Sequence, residues 1–502
     1  MPGLPVTDED IRDLELLIRS FHPLILIDEP DEGRVVAILE VLAQRLGLPL
    51  LRWSAHRGLA RVDGDKTAVY KTEAPEQCLA HLISANAEVI TYLSGFAQHL
   101  DERPVTSRIR ELHDVLAGHR GAVVLKGSPA DLPPKLARFF TLVRLEVPSS
   151  EAYHRYVSTV LANLRTRMPV RVDLSGADVA ELLDHLRGLP FYEVRKIVTR
   201  CVVEQGGCLD RKSIVAVIDA KRRTIQRTGL LEYIPAPREE AEIAGLTRLR
   251  SWLDKRRRAF RDPEGARAMG LSPPRGLLLT GVQGCGKSLC ARAIASSWQL
   301  PLVRLDPSSL YRRYFGESEQ NLHRAIRTAE SVAPVVLWID EIEKAFGGDG
   351  EGDGGTSRRI FGTFLHWLQE KRHAVFVLAT ANDISRLPPE LLRKGRFDEI
   401  FFVDLPSLAV RQEIFAVHLT RRHRDPTAFD LAQLAAETDG FSGAEIEQAI
   451  VAGLYSAFSA DRELTTELLL EEIRGTRPLA VTMAERIAEL RRWAAQRTVP
   501  AD

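Results

Sequence analysis

Apolar residues in this chain fall into short continuous runs separated by longer stretches of helical spacing. Ile25-Leu26-Ile27, residues 89–93, Leu277-Leu278-Leu279, residues 335–339 and residues 375–378 are each too short for a buried helix and suit strands covered on both faces. Such runs alternating with helical patterns predict an α/β fold, a mostly parallel sheet with helices on both faces. Over residues 150–228 and again over 410–495 the helical period runs alone, as in residues 179–186. Gly229-Leu-Leu-Glu-Tyr-Ile-Pro-Ala-Pro237 reads as a linker between the two rounds. Residues 347–355 are mostly glycine with interspersed acids, which predicts a mobile loop.

The two rounds match each other. Ala295, Leu300, Pro301, Leu302 and Arg304 correspond to Ala43, Leu48, Pro49, Leu50 and Arg52 at one constant offset, which also pairs Leu277-Leu278-Leu279 with Ile25-Leu26-Ile27. Leu387-Pro388-Pro389 then resembles Leu132-Pro133-Pro134, and Asp404-Leu405-Pro406-Ser407 resembles Glu146-Val147-Pro148-Ser149. Gly440-Phe441 with Glu445-Ile446 echoes Gly188-Leu189 with Glu193-Val194. Matches in one order predict two copies of a single α/β-plus-helical module.

The copies differ where chemistry would sit. In the second, the strand around Leu278 leads into Gly281, Val282, Gln283, Gly284, Cys285, Gly286, Lys287 and Ser288, and a helical pattern starts near Leu289. Strand, glycine loop and helix at this spacing make a phosphate cradle, because glycines let backbone N–H groups turn inward beside the positive helix end. Lys287 can reach the β- and γ-phosphates, and the Ser288 hydroxyl can ligate Mg²⁺. The run 335–339 ends in Asp340-Glu341, at the strand end where open α/β sheets bind ligands. Asp340 would hold the Mg²⁺ shell and Glu341 would polarise the attacking water. Asn382, after the next run, either orients that water or is a turn residue.

Arg396 is either an arginine finger supplied in trans or half of a surface ion pair with Asp398. Tyr314 and Phe315, before Gly316, either grip a polypeptide or anchor a core. Cys285 either fills a tight turn or is a thiol activated by the helix N-terminus, whose alkylation would block nucleotide binding. In the first copy the loop reads Asp28-Glu-Pro-Asp-Glu-Gly33, whose four carboxylates would repel a triphosphate, and Gly-Lys-Ser becomes Arg34-Val35-Val36. No acidic pair ends the run 89–93 there, so the first copy is expected to be catalytically dead.

Composition narrows the remaining choices. At 502 residues the chain has room for about three or four domain-sized units. Lys+Arg and Asp+Glu are both 68, which argues against a broad nucleic-acid footprint and a nucleic-acid motor. Five cysteines with no C-x-x-C pair fit a reducing compartment without a zinc site. The N-terminus lacks a basic n-region and an apolar h-region, and no apolar run approaches the roughly 18–20 residues of a membrane span. A cytoplasmic protein without membrane insertion is the expectation.

Residues 281–288, Asp340-Glu341, Asn382, Gly395-Arg396-Phe397-Asp398 and Gly440-Phe441-Ser442-Gly443-Ala444-Glu445, in this order, resemble an AAA+ ATPase of the classical AAA type. More narrowly, Phe21-His22-Pro23-Leu24, residues 354–370 and residues 391–402 are similar to the Ycf46-like AAA proteins of bacteria and plastids. The resemblance implies tandem AAA-like modules: a degenerate α/β domain at 1–149, a helical lid-like subdomain at 150–228, a linker at 229–241, an ATPase α/β domain at 242–409 and a helical lid at 410–502. It implies ATP with Mg²⁺, held by residues 281–289, by Ala244 and Gly245 at the adenine and by Gly443 and Ala444 of the lid. It further implies a hexameric ring in which Arg396 reaches a neighbour's ATP and Tyr314, Phe315 and Gly316 form a pore loop that pulls a protein client. A nucleotide-dependent switch or scaffold with slow turnover is the other reading. Glu399 departs from the pattern, since many relatives carry a second arginine there.

Overall fold

The computed structural model describes residues 4, 6, 8–29, 31–62, 67–127, 132–145, 148–227, 229–235, 243–310, 317–346, 356–371, 373–393 and 395–502. They divide into two compact units, residues 1–221 and 222–502.

The first unit holds β1 (Leu24–Asp28), β2 (Leu50–Ser54), β3 (Gly58–Arg61), β4 (Ile90–Leu93), β5 (Ala122–Lys126) and β6 (Thr141–Arg144), with a short pair, β7 (Arg171–Val172) and β8 (Cys208–Leu209). Its main sheet runs β3-β2-β4-β5-β1-β6, parallel except for the β2–β3 hairpin. The second unit holds β9 (Leu231–Ile234), β10 (Gly276–Gly281), β11 (Leu302–Leu305), β12 (Val335–Ile339), β13 (Val375–Ala381), β14 (Glu399–Val403) and β15 (Val499–Pro500). Read from β9, its order is β9-β11-β12-β13-β10-β14-β15, parallel except for β9. Each unit therefore has the same five parallel strands in the same order, with one antiparallel strand added at the same edge.

Register makes the correspondence residue-specific. Arg52 lies beside Tyr92 and Arg304 beside Trp338, and each guanidinium sits over its neighbour's ring, at 6.0 and 4.9 Å from the centroid. The repeated Ala and Leu have a cause too. The helices Glu32–Leu46 and Lys287–Trp298 end on a left-handed residue, Gly47 or Gln299. The next N–H, from Leu48 or Leu300, returns to the carbonyl of Ala43 or Ala295 at 3.0 and 2.9 Å, a shared C-terminal cap. The Pro-Ser pairs place Ser149 and Ser407 as N-caps of the helices Ser150–Arg165 and Leu408–Arg421.

In the second unit β13 is buried along its whole length. Val375, Val377, Ala379 and Ala381 face one core with Leu278 and Phe364, while Phe376 and Leu378 face another with Leu277, Leu279 and Trp298. A separate helical core gathers Phe415, Leu419, Phe441, Ile446 and Leu469. The first unit repeats the plan, with two cores on its sheet and a helical core around Tyr153, Phe191 and Val198.

Two expectations need correction. Residues 231–234, read as linker, form β9, because Leu231 and Tyr233 are buried against β11 while Glu232 points out. The segment 410–502 is not helical throughout: Val499 and Pro500 pair with Phe401 and Phe402, which returns the chain to the sheet. Tyr314, Phe315, Gly316 and the glycine-rich stretch 347–355 lie outside the described residues.

Candidate functional site

The site is built where β10, β12 and β13 end together. β10 closes on Gly281 at φ +140°, where a Cβ would lie 2.0 Å from the Val403 carbonyl oxygen, so only glycine fits against β14. The loop turns again at Gly284, φ +78°, whose carbonyl accepts the Ala444 N–H at 3.0 Å and ties the loop to the helix Gly443–Ser459. Lys287 opens the helix Lys287–Trp298 and is buried, its Nζ donating to the carbonyls of Gly281 and Val282 at 2.9 and 2.8 Å. Burial pulls the ammonium down to about 8.

Beside it, the Ser288 hydroxyl donates to Asp340 Oδ1 at 3.0 Å and the Thr380 hydroxyl donates to the same oxygen at 2.6 Å. Thr380 also accepts the Glu341 N–H at 3.0 Å. Glu341 has φ +51°, an unusual conformation for a side-chain-bearing residue and one that places its carboxylate beside Asn382. Asn382 Nδ2 donates to Glu341 Oε1 at 2.9 Å, and Lys344 pairs with Oε2. The Lys344 hydrogen bond holds the Glu341 carboxyl below its ordinary range, against burial, so the group is a carboxylate at neutral pH.

A cavity of about 450 Å³ opens onto this network. Its wall includes Gln283, Gly284, Cys285, Gly286, Lys287, Ser288, Leu289, Asp340, Glu341, Asn382, Ala244, Gly443 and Ala444, all expected from sequence. Gly281, Val282 and Gly245 do not line it. The first two hold Lys287 by their carbonyls, and the Gly245 N–H donates to Glu413 at 2.9 Å. Arg396 also lies off the wall and donates to the Leu365 carbonyl at 3.3 Å. Asp398 is spent on the N–H groups of Arg275 and Gly276, at 2.7 and 3.0 Å. Of the two readings of Cys285, the tight-turn filler is the one that its surroundings favour: burial pushes the thiol up to about 12, outweighing the charge of Lys287.

Sequence reasoning missed Thr380 and most of the apolar end of the cavity, where Leu246, Val410, Ile414 and Val417 together with His418 join Ile243, which the resemblance had placed at the adenine. Thr380 left one signal, a polar residue in an otherwise apolar strand. The lid residues left none, because their spacing is that of any packed helix. The residues present fit a magnesium nucleotide: two hard oxygens 3.0 Å apart, a loop with no room for a side chain at Gly281 or Gly284, and a lysine already inside it.

Register places Ser94-Gly95 of the first unit where Asp340-Glu341 stand in the second. The Glu32 carboxylate enters that space and is bonded by the Ser94 hydroxyl and, at 2.8 Å, by Arg52. Asp31 accepts the N–H of Gly33 at 2.9 Å, caps the helix Glu32–Leu46 and accepts the Phe191 N–H at 2.6 Å. Arg34, at the place of Gly286, is buried between Asp10 and Glu29 at 2.7 and 2.8 Å. Loop carboxylates thus occupy what the second unit leaves open to a phosphate.

Comparison with known proteins agrees with this geometry. The profile of the ATPase family associated with various cellular activities (AAA) matches residues 277–405. Residues 10–145 match the SpoVK-like AAA ATPase N-terminal domain and residues 151–228 its second domain. The chain is 37% identical over 488 residues to the "Uncharacterized AAA domain-containing protein ycf46" of Pyropia yezoensis, covering 96% of this chain and 97% of that one. Its counterpart in Guillardia theta is 34% identical over 489 residues, covering 96% and 94%. The proteasome-activating nucleotidase of Aeropyrum pernix is 35% identical over 214 residues, 41% of this chain and 52% of that protein. Fold, site and relatives define an AAA ATPase with two tandem modules. Within that class the chain belongs to the ycf46 family of AAA domain-containing proteins.

Proposed function

We propose that the second module binds ATP with Mg²⁺ and hydrolyses it, and that turnover drives a ring of these chains to remodel a protein client. The observation that carries the reading is the hydrogen-bonded set Ser288, Asp340, Thr380, Glu341 and Asn382 beside a glycine loop and a buried lysine. Residues 283–289 would cradle the phosphates, Lys287 would neutralise their charge, and Ser288 and Asp340 would hold the metal. A bound magnesium ion supplies further charge neutralisation on the phosphates. Glu341 would take the proton of the attacking water, with Asn382 fixing the direction of its carboxylate. Ile243, Ala244 and Leu246 would receive the base. Arg396, which does not line its own cavity, would serve a neighbouring subunit. The first module would carry no nucleotide and would serve as a rigid partner platform. Among the described residues no helix is long and apolar enough to cross a membrane.

A second reading, a nucleotide switch with slow turnover, is favoured by Glu399 in place of a cation and by the Lys344 pair that occupies Glu341. Glu341→Gln separates the two. Remodelling requires that this variant bind ATP, assemble, hold its client in a pull-down read by mass spectrometry, and lose function. A Glu341→Gln chain that sustains function in cells without hydrolysis would instead favour the switch.

A further inference from the structure

The Glu343 carboxyl has no part in the roles given above, yet it is buried, at 7% exposure, two residues after Glu341. It stands on the short helix Ile342–Phe346. Its Oε1 accepts the N–H of Asn382 at 2.9 Å and the N–H of Asp383 at 3.3 Å, so one oxygen grips the chain just where β13 ends. Its Oε2 has no hydrogen-bond partner among the described residues. A half-satisfied buried carboxyl is costly to keep, and an apolar side chain on that helix would avoid this cost only by leaving the N–H groups of Asn382 and Asp383 without that acceptor. Holding two backbone amides is what the longer polar side chain provides.

We propose that Glu343 is a positioning residue for hydrolysis: it fixes the backbone of Asn382, so that the Asn382 amide holds Glu341 in the direction of the attacking water. The inference rests on the hydrolysis reading above. Thr380 joins the ends of β12 and β13 through Asp340 and the Glu341 N–H, but it leaves Asn382 itself free to turn. Glu343 removes that freedom. Its action depends on reach and on an acceptor oxygen, and its charge is incidental.

Length and charge are therefore varied separately in the full chain, with ATP turnover and nucleotide affinity measured on the same samples. Glu343→Asp keeps the charge and withdraws the acceptor by one methylene. It should lower kcat about ten-fold or more while Kd for ATP shifts by less than about threefold. Glu343→Gln keeps the reach and should recover most of what Asp loses. In an Asn382→Ala background, Glu343→Asp should cost less than about twofold further, since the group it positions is gone. The proposal is overturned if Asp turns over like wild type, if Gln is as impaired as Asp, or if the Glu343 and Asn382 effects simply multiply. A wild-type chain with no turnover, indistinguishable from Lys287→Ala, removes the hydrolysis reading itself and this proposal with it.

Discussion

Single side chains distinguish the two modules at the place proposed for a phosphate. Asp31 and Gln283 occupy equivalent places, and the carboxylate of Asp31 binds the backbone amides that a phosphate would otherwise use. Asp31→Ala would strand the buried Phe191 N–H and uncap a helix. It should destabilise the chain by about 2–4 kcal/mol, seen as a fall of several degrees in melting temperature, without changing nucleotide affinity of the second module. Unchanged melting would mean that the Asp31 bonds are dispensable. Cys285 allows an equally local check. With its thiol pushed up to about 12, it is almost wholly protonated at pH 7.5 and a poor nucleophile. Iodoacetamide at that pH should leave ATP binding intact over the time that labels an exposed cysteine, and rapid inactivation absent in Cys285→Ser would contradict this. Asp340, Glu341 and Asn382 were legible in the sequence because each follows a continuous apolar run that marks a buried strand, and Lys287 and Ser288 because they stand where a glycine loop passes from such a strand into a helix. Thr380 and Glu343 were not, because what they do is bond to neighbours brought close by the sheet.

Among the elements, the parallel strands and their helices could be read directly, since continuous apolar runs mark doubly covered strands. The edge strands could not. β9 has four residues and β15 two, and both depend on pairing with β11 and β14, which no local pattern reveals. The tandem repeat was readable because its matched residues serve local geometry, as Ala43 and Leu48 do in one helix cap and Ala295 and Leu300 in the other. The helix Arg211–Gln226 carries a pH-sensitive feature that the sequence conceals. Lys221 on it is buried and donates to the Arg187 carbonyl at 2.8 Å, and burial pulls its ammonium from the usual 10.5 down to about 7. The folded pKa lies below the unfolded one, so between about pH 7 and 10.5 the unfolded chain binds more protons. Stability should therefore rise with pH across that window, by at most about 1.4 kcal/mol per unit, and the penalty is fully present below pH 7. Lys221→Met should melt higher than wild type at pH 7 and show a flatter rise between pH 7 and 9. Parallel curves for the two proteins would refute the assignment.

For the whole molecule, the orientation of Arg396 matters most. Its guanidinium bonds to the Leu365 carbonyl and is absent from the wall of its own cavity, which supports the proposal that it acts on a neighbouring subunit's nucleotide. Arg396→Ala should lower turnover about a hundred-fold or more while leaving ATP affinity nearly unchanged. Mixing Arg396→Ala with Glu341→Gln chains should then restore activity well above the mean of the two alone, because an intact Glu341 would face an intact Arg396 across some interfaces. A mixture no better than that mean would confine Arg396 to its own subunit. All of this presupposes a triphosphate in the second module, and the most direct measurement is phosphate release from ATP·Mg²⁺ by wild-type and Lys287→Ala chains, with fluorescent-nucleotide binding read in parallel. Wild type should bind and release phosphate, and Lys287→Ala should lose both. Equal behaviour of the two proteins, whether both active or both inert, would contradict it.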